Sequence, residues 1–138
     1  MTEARQDADL LIAGAGLSAG LIALAVRAAR PDCRVLLVDA ATAPTGSHTW
    51  SFHLPDLSPA WLARLTPGLR ARWDGQEVRF RDHARRLRAG YAALDDVGLA
   101  RLVAGSGAEV IRAAPVAQAD AAGPVPVSYT HLTLPTKA

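Results

Sequence analysis

A single cysteine, Cys33, leaves this chain without an internal disulfide. That excludes the disulfide-stapled scaffolds and is compatible with a reducing cytoplasm. Cys33 follows Pro31-Asp32 at a helix-to-strand junction, where it reads as an inert thiol. Neither sign of charge dominates. Fifteen basic against thirteen acidic residues give a net charge of +2, too small to argue for a nucleic-acid partner. No long membrane-spanning run is present either. The uncharged stretch from Leu10 to Val26 holds Gly14, Gly16, Ser18 and Gly20, and it falls short of the ~20 apolar residues a span requires. The acidic-leaning residues 2–9 ahead of it are unlike the positive n-region of a signal peptide. It is therefore read as buried sheet and helix. The histidines lack an acid or cysteine at ligand spacing, so no metal site is assigned.

What is present is a chain of 138 residues, 50% hydrophobic and 20% charged, the composition of one globular domain. Asp9 to Asp39 organises it. Leu10–Ala13 is a short apolar strand that stops at Gly14, and Gly14-Ala15-Gly16 makes a turn free of bulky side chains. In the dinucleotide fingerprint Gly14 makes the tight turn, Gly16 lets a pyrophosphate reach the backbone, and the small third position is Ala19. A helix from about Leu17 to Ala29 aims its first N–H groups at the phosphates. That helix is apolar on nearly every side until Arg27 and Arg30, which predicts burial all round, and Pro31 ends it. Val35–Val38 is the second strand. Asp39 closes it at about the distance where an acid accepts hydrogen bonds from a ribose. Strand, turn, helix, strand and acid together predict a βαβ unit.

Pro44 and Gly46 mark a loop, and Ser47-His48-Thr49-Trp50-Ser51-Phe52-His53 continues it. This stretch is dense in rings for a chain only 5% aromatic. Trp50 and Phe52 either pack in a core with His48 and His53 at its edge, or sit beside a bound cofactor. Ser58-Pro59 is an N-cap and first-turn pair that predicts a short helix over Pro59–Leu65, ended by Pro67-Gly68. Gln76–Arg81 alternates as a half-buried strand does, with Val78 and Phe80 inward, and Asp82-His83 turns it back through Ala84–Arg88. Arg79, Arg81, Arg85, Arg86 and Arg88 form the one basic cluster. It reads either as a solvated strand face or as a contact for anionic lipid headgroups. Asp95 or Asp96 caps a helix over Val97–Ala104 that ends at Gly105-Ser106-Gly107. Glu109–Ala113 is expected as a third parallel strand beside the second, and Val116–Ala121 as part of a hairpin.

The turn Gly14-Ala15-Gly16-Leu17 running into Gly20-Leu21-Ile22-Ala23, followed by His48-Thr49-Trp50-Ser51-Phe52-His53, resembles the bacterial lycopene beta-cyclases. The likeness continues through Trp61, Trp73 and Val78-Arg79-Phe80 to Leu87-Arg88-Ala89-Gly90-Tyr91, most of residues 8 to about 105. The histidine–tryptophan stretch is far more specific than the glycine turn, which many flavoproteins and nicotinamide enzymes share. The resemblance implies an α/β fold: the Rossmann-like βαβ half of a doubly wound FAD- or NAD(P)-binding sheet, with a small strand and helix insertion, and incomplete. It implies bound, reduced FAD kept so by NAD(P)H, and lycopene or another linear carotene as substrate. The linear ψ end closes to a β-ionone ring by addition and loss of a proton, with no net redox change. Gly14, Ala15, Gly16, Leu17, Ala19, Gly20 and Asp39 carry over as cofactor contacts, and His48, Trp50 and Phe52 as pocket lining. The family's acidic catalytic motifs lie beyond this chain, so its catalytic residues are unassigned and the chain alone is expected to be inactive. A cytoplasmic location follows, with peripheral contact at the inner membrane face. Two rivals stand beside this reading: a flavin-dependent hydroxylase or oxidoreductase of the same fold, and a truncated product without enzymatic role.

The end of the chain differs in composition. Its only lysine, Lys137, follows fourteen arginines, and alanine disappears from 127 until the last residue. Residues 127–138 look like translated adapter or vector, so the expected domain is 8–126 and His131 is given no chemical role.

Overall fold

The structure, a computed structural model, describes residues 8–114 and residue 116. The Val116–Ala121 strand, apart from Val116 itself, and the 127–138 tail lie outside the described residues. The rest falls into two units, one built from residues up to Ala43 together with those from Val103 onward, the other Pro44–Leu102.

The first unit holds β1 (Leu10–Ala13), α1 (Leu17–Ala29), β2 (Val35–Val38) and the last strand, Glu109–Ile111. These strands form one parallel sheet with β2 in the middle, Leu10 opposite Val35 on one side and Leu36 opposite Glu109 on the other. All four residues of β2 are buried, as expected of a central parallel strand covered on both faces. Packing of Leu36, Val38 and Ala114 with Ala8, Ile111 and Val116 forms a core cluster. The last strand is shorter than its sequence suggests. Ala113 has φ +55, a left-handed conformation that ends the ladder, and its N–H turns to the Ala41 carbonyl.

The expectation that α1 is buried all round is corrected. Only Gly20, Ala23 and Leu24 are buried, and Ile22 is 50% exposed. The sheet covers one face, and among the described residues nothing in this unit covers the opposite one. The end of α1 is held by Arg27, whose guanidinium donates to the carbonyls of Ser106 (3.0 Å), Pro31 (2.6 Å) and Cys33 (2.7 Å). One side chain thus satisfies three carbonyls around the helix C-terminus.

The second unit contains β3 (Thr49–His53), α2 (Pro59–Leu65), β4 (Leu69–Trp73), β5 (Gln76–Phe80), β6 (His83–Leu87), β7 (Tyr91–Asp95) and the first part of α3 (Asp96–Gly105); Glu109–Ile111 is β8. β3, β7 and β4 form an antiparallel sheet with β7 central, and β5 and β6 form a separate hairpin. Ser58 caps α2 as its sequence predicts, its hydroxyl accepting from the Trp61 N–H at 3.3 Å. Asp95 caps α3, with Oδ1 accepting from the Gly98 N–H at 2.7 Å, the spacing an N-cap carboxylate uses.

Three readings change here. Thr49–His53 is a strand, not a loop, because β7 supplies it with a full set of partners from Thr49↔Asp95 to His53↔Tyr91. β4 and β7 themselves were not anticipated. Phe80, expected inward on β5, is 71% exposed, since among the described residues no third layer covers that end of the two-stranded hairpin.

Candidate cofactor site

The glycine turn sits at the carboxyl end of β1, where open α/β sheets bind ligands. The Gly14 N–H donates to the Val38 carbonyl at 2.7 Å, fixing the turn against β2. Gly14 has φ +98, so a side chain there is strained whatever the space. Gly16 differs. Its φ of −77 suits any residue, and a Cβ added to it meets no atom within 4 Å. Neither backbone conformation nor packing among the described residues accounts for glycine at this position.

Gly16 is also the N-cap of α1, with no side-chain hydrogen bond and no acid in the first turn. The unpaired N–H groups of a helix start and its positive dipole end suit an anion. The residues therefore fit the pyrophosphate of a dinucleotide, with Gly16 and Leu17 at the approach.

Asp39 has a task that its sequence position does not reveal. Its Oδ2 accepts from the Ala15 N–H at 2.6 Å and its Oδ1 from the Ala41 N–H at 2.7 Å. The acid thus braces the glycine turn from the end of β2, and each oxygen keeps a lone pair for a ribose hydroxyl. Asp39→Ala leaves both N–H groups without this acceptor, at a cost of about 1–3 kcal/mol. Urea denaturation of the cofactor-free protein is expected to show that loss, together with weaker flavin retention. Unchanged stability would remove the bracing role.

Ala15, Leu17 and Asp39 thus gather around Gly14 and Gly16. Ala19 lies half-buried in the first turn of α1. Gly20 is buried in the same turn of α1, and its N–H donates to the Gly16 carbonyl at 2.9 Å.

His48, Trp50 and Phe52 belong to the second unit. Trp50 and Phe52 share one face of β3, paired with Leu94 and Ala92. The His48 ring stacks on Trp50 with centroids 6.4 Å apart and planes 21° from parallel. His48 is exposed and both aromatic residues are half-buried.

The residue that holds this stretch in place is Asp96, read from sequence only as a possible helix cap. Its carboxylate accepts from the N–H groups of Thr45 (3.0 Å) and Gly46 (2.7 Å), and its own N–H donates to the His48 carbonyl at 3.1 Å. Gly46, at φ +76, makes the bend that brings both donors round. Partial desolvation opposes ionisation of Asp96. The N–H groups of Thr45, Gly46 and Val97 and the nearby His48 outweigh it, holding the carboxyl below its ordinary value of 3.8. Because the folded value is depressed, the associated stability is present above the ordinary value and is lost as pH falls through the lower folded one. Amide NMR shifts of Thr45 and Gly46 are expected to titrate together below the ordinary carboxylate range. Invariant shifts there would exclude the clamp.

A family model described as lycopene cyclase protein matches residues 9–134. The chain is similar to the lycopene beta-cyclase of Paracoccus sp. (strain N81106 / MBIC 01143), 61% identical over 115 residues, which is 83% of this chain and 30% of that protein. It is also similar to the lycopene beta-cyclase of Pseudescherichia vulneris, 45% identical over 86 residues, 62% of this chain and 22% of the relative. The chain thus spans less than a third of these relatives' length. Among solved structures it resembles a 2-methyl-3-hydroxypyridine-5-carboxylic acid oxygenase, with a TM-score of 0.55 and 12% identity over 83% of this chain and 34% of that one. It also resembles an amino acid oxidase of nikkomycin biosynthesis, with a TM-score of 0.53 and 15% identity over 84% of this chain and 46% of that one. At such identities the likeness establishes the fold alone, a partial Rossmann-like α/β arrangement.

Proposed function

Because this chain belongs to the lycopene cyclase family, we propose that its first unit binds the dinucleotide portion of FAD within a lycopene beta-cyclase of carotenoid biosynthesis. The observation that carries the reading is Gly16: a glycine that neither φ nor packing among the described residues explains, at the uncapped start of α1. Gly14 shapes the turn, and the N–H groups at the α1 N-terminus would hold the phosphates. Asp39 braces Ala15 while offering its remaining lone pairs to the ribose. Asp96 positions the His48 loop, and His48, Trp50 and Phe52 line part of the pocket for a linear carotene.

The proposed reaction is a proton-initiated, redox-neutral closure of a ψ end to a β-ionone ring, an isomerisation. Bound FAD, kept reduced by NAD(P)H, would supply negative charge near the developing cation. No acid or base of the chemical step is assigned to this chain. A carotene is a hydrocarbon that partitions into lipid, so peripheral contact with the inner membrane face belongs to the same reading.

The test is expression in lycopene-accumulating cells with pigment analysis, alongside flavin absorbance of the purified protein. A longer protein carrying this segment is expected to form β-carotene and retain flavin. The 138-residue chain alone is expected to do neither, since it spans about 30% of the Paracoccus relative and β1 pairs on one side only among the described residues. Hydroxylated or desaturated products from the longer protein would replace this reading with that of an oxidoreductase. β-Carotene from the short chain above an empty-vector control would overturn its assignment as inactive.

A further inference from the structure

The β5–β6 hairpin is the most basic part of the chain. Between Gln76 and Arg88 it carries five arginines against Glu77 and Asp82, which exceeds the net charge of +2 over all 138 residues. Most of this charge is uncompensated. Arg79 pairs with Glu77 at 2.6 Å, while among the described residues Arg81, Arg85, Arg86 and Arg88 have no ion pair.

The register decides how these groups are displayed. Phe80 stands opposite His83 and Val78 opposite Arg85, so Val78, Phe80, His83 and Arg85 share a face. Arg81 and Asp82 form the turn between the strands, directly after Phe80. Phe80 is 71% exposed, more than any other large hydrophobic residue described. The other end of that face is tied down by Gln76, whose amide meets His53 Nε2 at 2.9 Å. The hairpin is thus anchored at its base and presents an exposed phenyl ring among unpaired guanidinium groups at its tip.

We infer that this tip docks on an anionic lipid surface. Phe80 enters the boundary between headgroups and acyl chains, while Arg81, Arg85 and their neighbours bind phosphate headgroups. The combination favours lipid over a solvated face, because a solvated face gains nothing from an exposed phenylalanine. An apolar ring and basic side chains are each stabilised at such an interface. The inference names the element responsible for the membrane contact proposed above, and it is independent of cyclase chemistry.

Vesicle flotation tests it without carotene or flavin, so its failure is separable from failure of the cyclase reading. The chain is carried on a soluble fusion partner, so that association through the β1 edge does not intervene. It is mixed with vesicles of phosphatidylglycerol and phosphatidylcholine, or of phosphatidylcholine alone. Binding is expected to the anionic vesicles only and to weaken with added salt. Arg81→Ser and Arg85→Ser together are expected to weaken it about 25-fold, at roughly fivefold per charge. Phe80→Ser is expected to weaken it about tenfold and Phe80→Leu to restore most of the loss. Arg101→Ser, which removes an exposed charge from α3, is expected to change binding little. Equal binding to both vesicle types, or full binding by the Phe80→Ser and double-arginine variants, would overturn the inference. So would tighter binding of a single-stranded oligonucleotide that is indifferent to Phe80→Ser.

Discussion

Gly98→Ala is expected to unfold the second unit or to lower its stability by about 3 kcal/mol or more, the upper range for overpacking. Gly98 lies in the first turns of α3, against the Thr66–Gly68 turn that follows α2. A Cβ there overlaps the Gly68 carbonyl oxygen and carbon. Both groups are backbone, so neither yields by changing a rotamer. Gly98 cannot move away either, since its N–H is bound to Asp95 Oδ1 at 2.7 Å and Asp95 is held by Arg70 at 3.2 Å. The reverse substitution, Gly68→Ala, is expected to be milder. Its Cβ meets Leu102 Cδ1 at 2.6 Å and Cγ at 2.7 Å, a side chain with other rotamers, and comes no nearer than 3.0 Å to backbone, at the Gly98 carbonyl oxygen. Gly105→Ala is the control: no atom lies within 4 Å, so stability should stay level or rise by less than about 1 kcal/mol. Urea titration followed by circular dichroism and tryptophan fluorescence gives the ranking, and equal midpoints for Gly98→Ala and Gly105→Ala would refute the close approach.

Gly16→Val is expected to do the opposite, leaving the fold intact while abolishing flavin retention. A Cβ at Gly16 meets no described atom within 4 Å, so the cost to stability should stay at about 1 kcal/mol, that of a less favourable residue at the helix N-cap. The same side chain occupies the approach of a pyrophosphate to the backbone and blocks the α1 N-terminus. Ala19→Gly stays within the fingerprint and is expected to keep flavin. The measurement is flavin absorbance per protein after purification of a longer protein carrying this segment. Equal occupancy in the two variants would show that this turn is not the phosphate site. A larger loss of stability in Gly16→Val would show instead that the glycine serves the fold.

These two glycines show where sequence suffices. The turn at Gly16 was legible because it is local: strand, turn and helix start are consecutive in the chain. Gly98 carried no such signal. Its requirement comes from Gly68, thirty residues earlier, and only packing of α3 on the turn after α2 creates it.

The same division holds along the chain. Local chemistry determined β1, α1, β2, the capped helix after Ser58, the β5–β6 hairpin and the helix following Asp95, because periodicity, caps and turn residues act within a few positions. The strand nature of Thr49–His53 and of Tyr91–Asp95 arose only when the two paired. Partnership likewise turned Asp39 into a brace for Ala15 and Asp96 into a clamp on Thr45 and Gly46, over separations of 24 and about 50 residues. Sequence by itself therefore determined the βαβ unit and its glycine turn. Tertiary structure alone decided which carboxylates are already engaged, which aromatic rings are exposed and which glycine has no room for a methyl group, since each depends on what the chain brings alongside from far away.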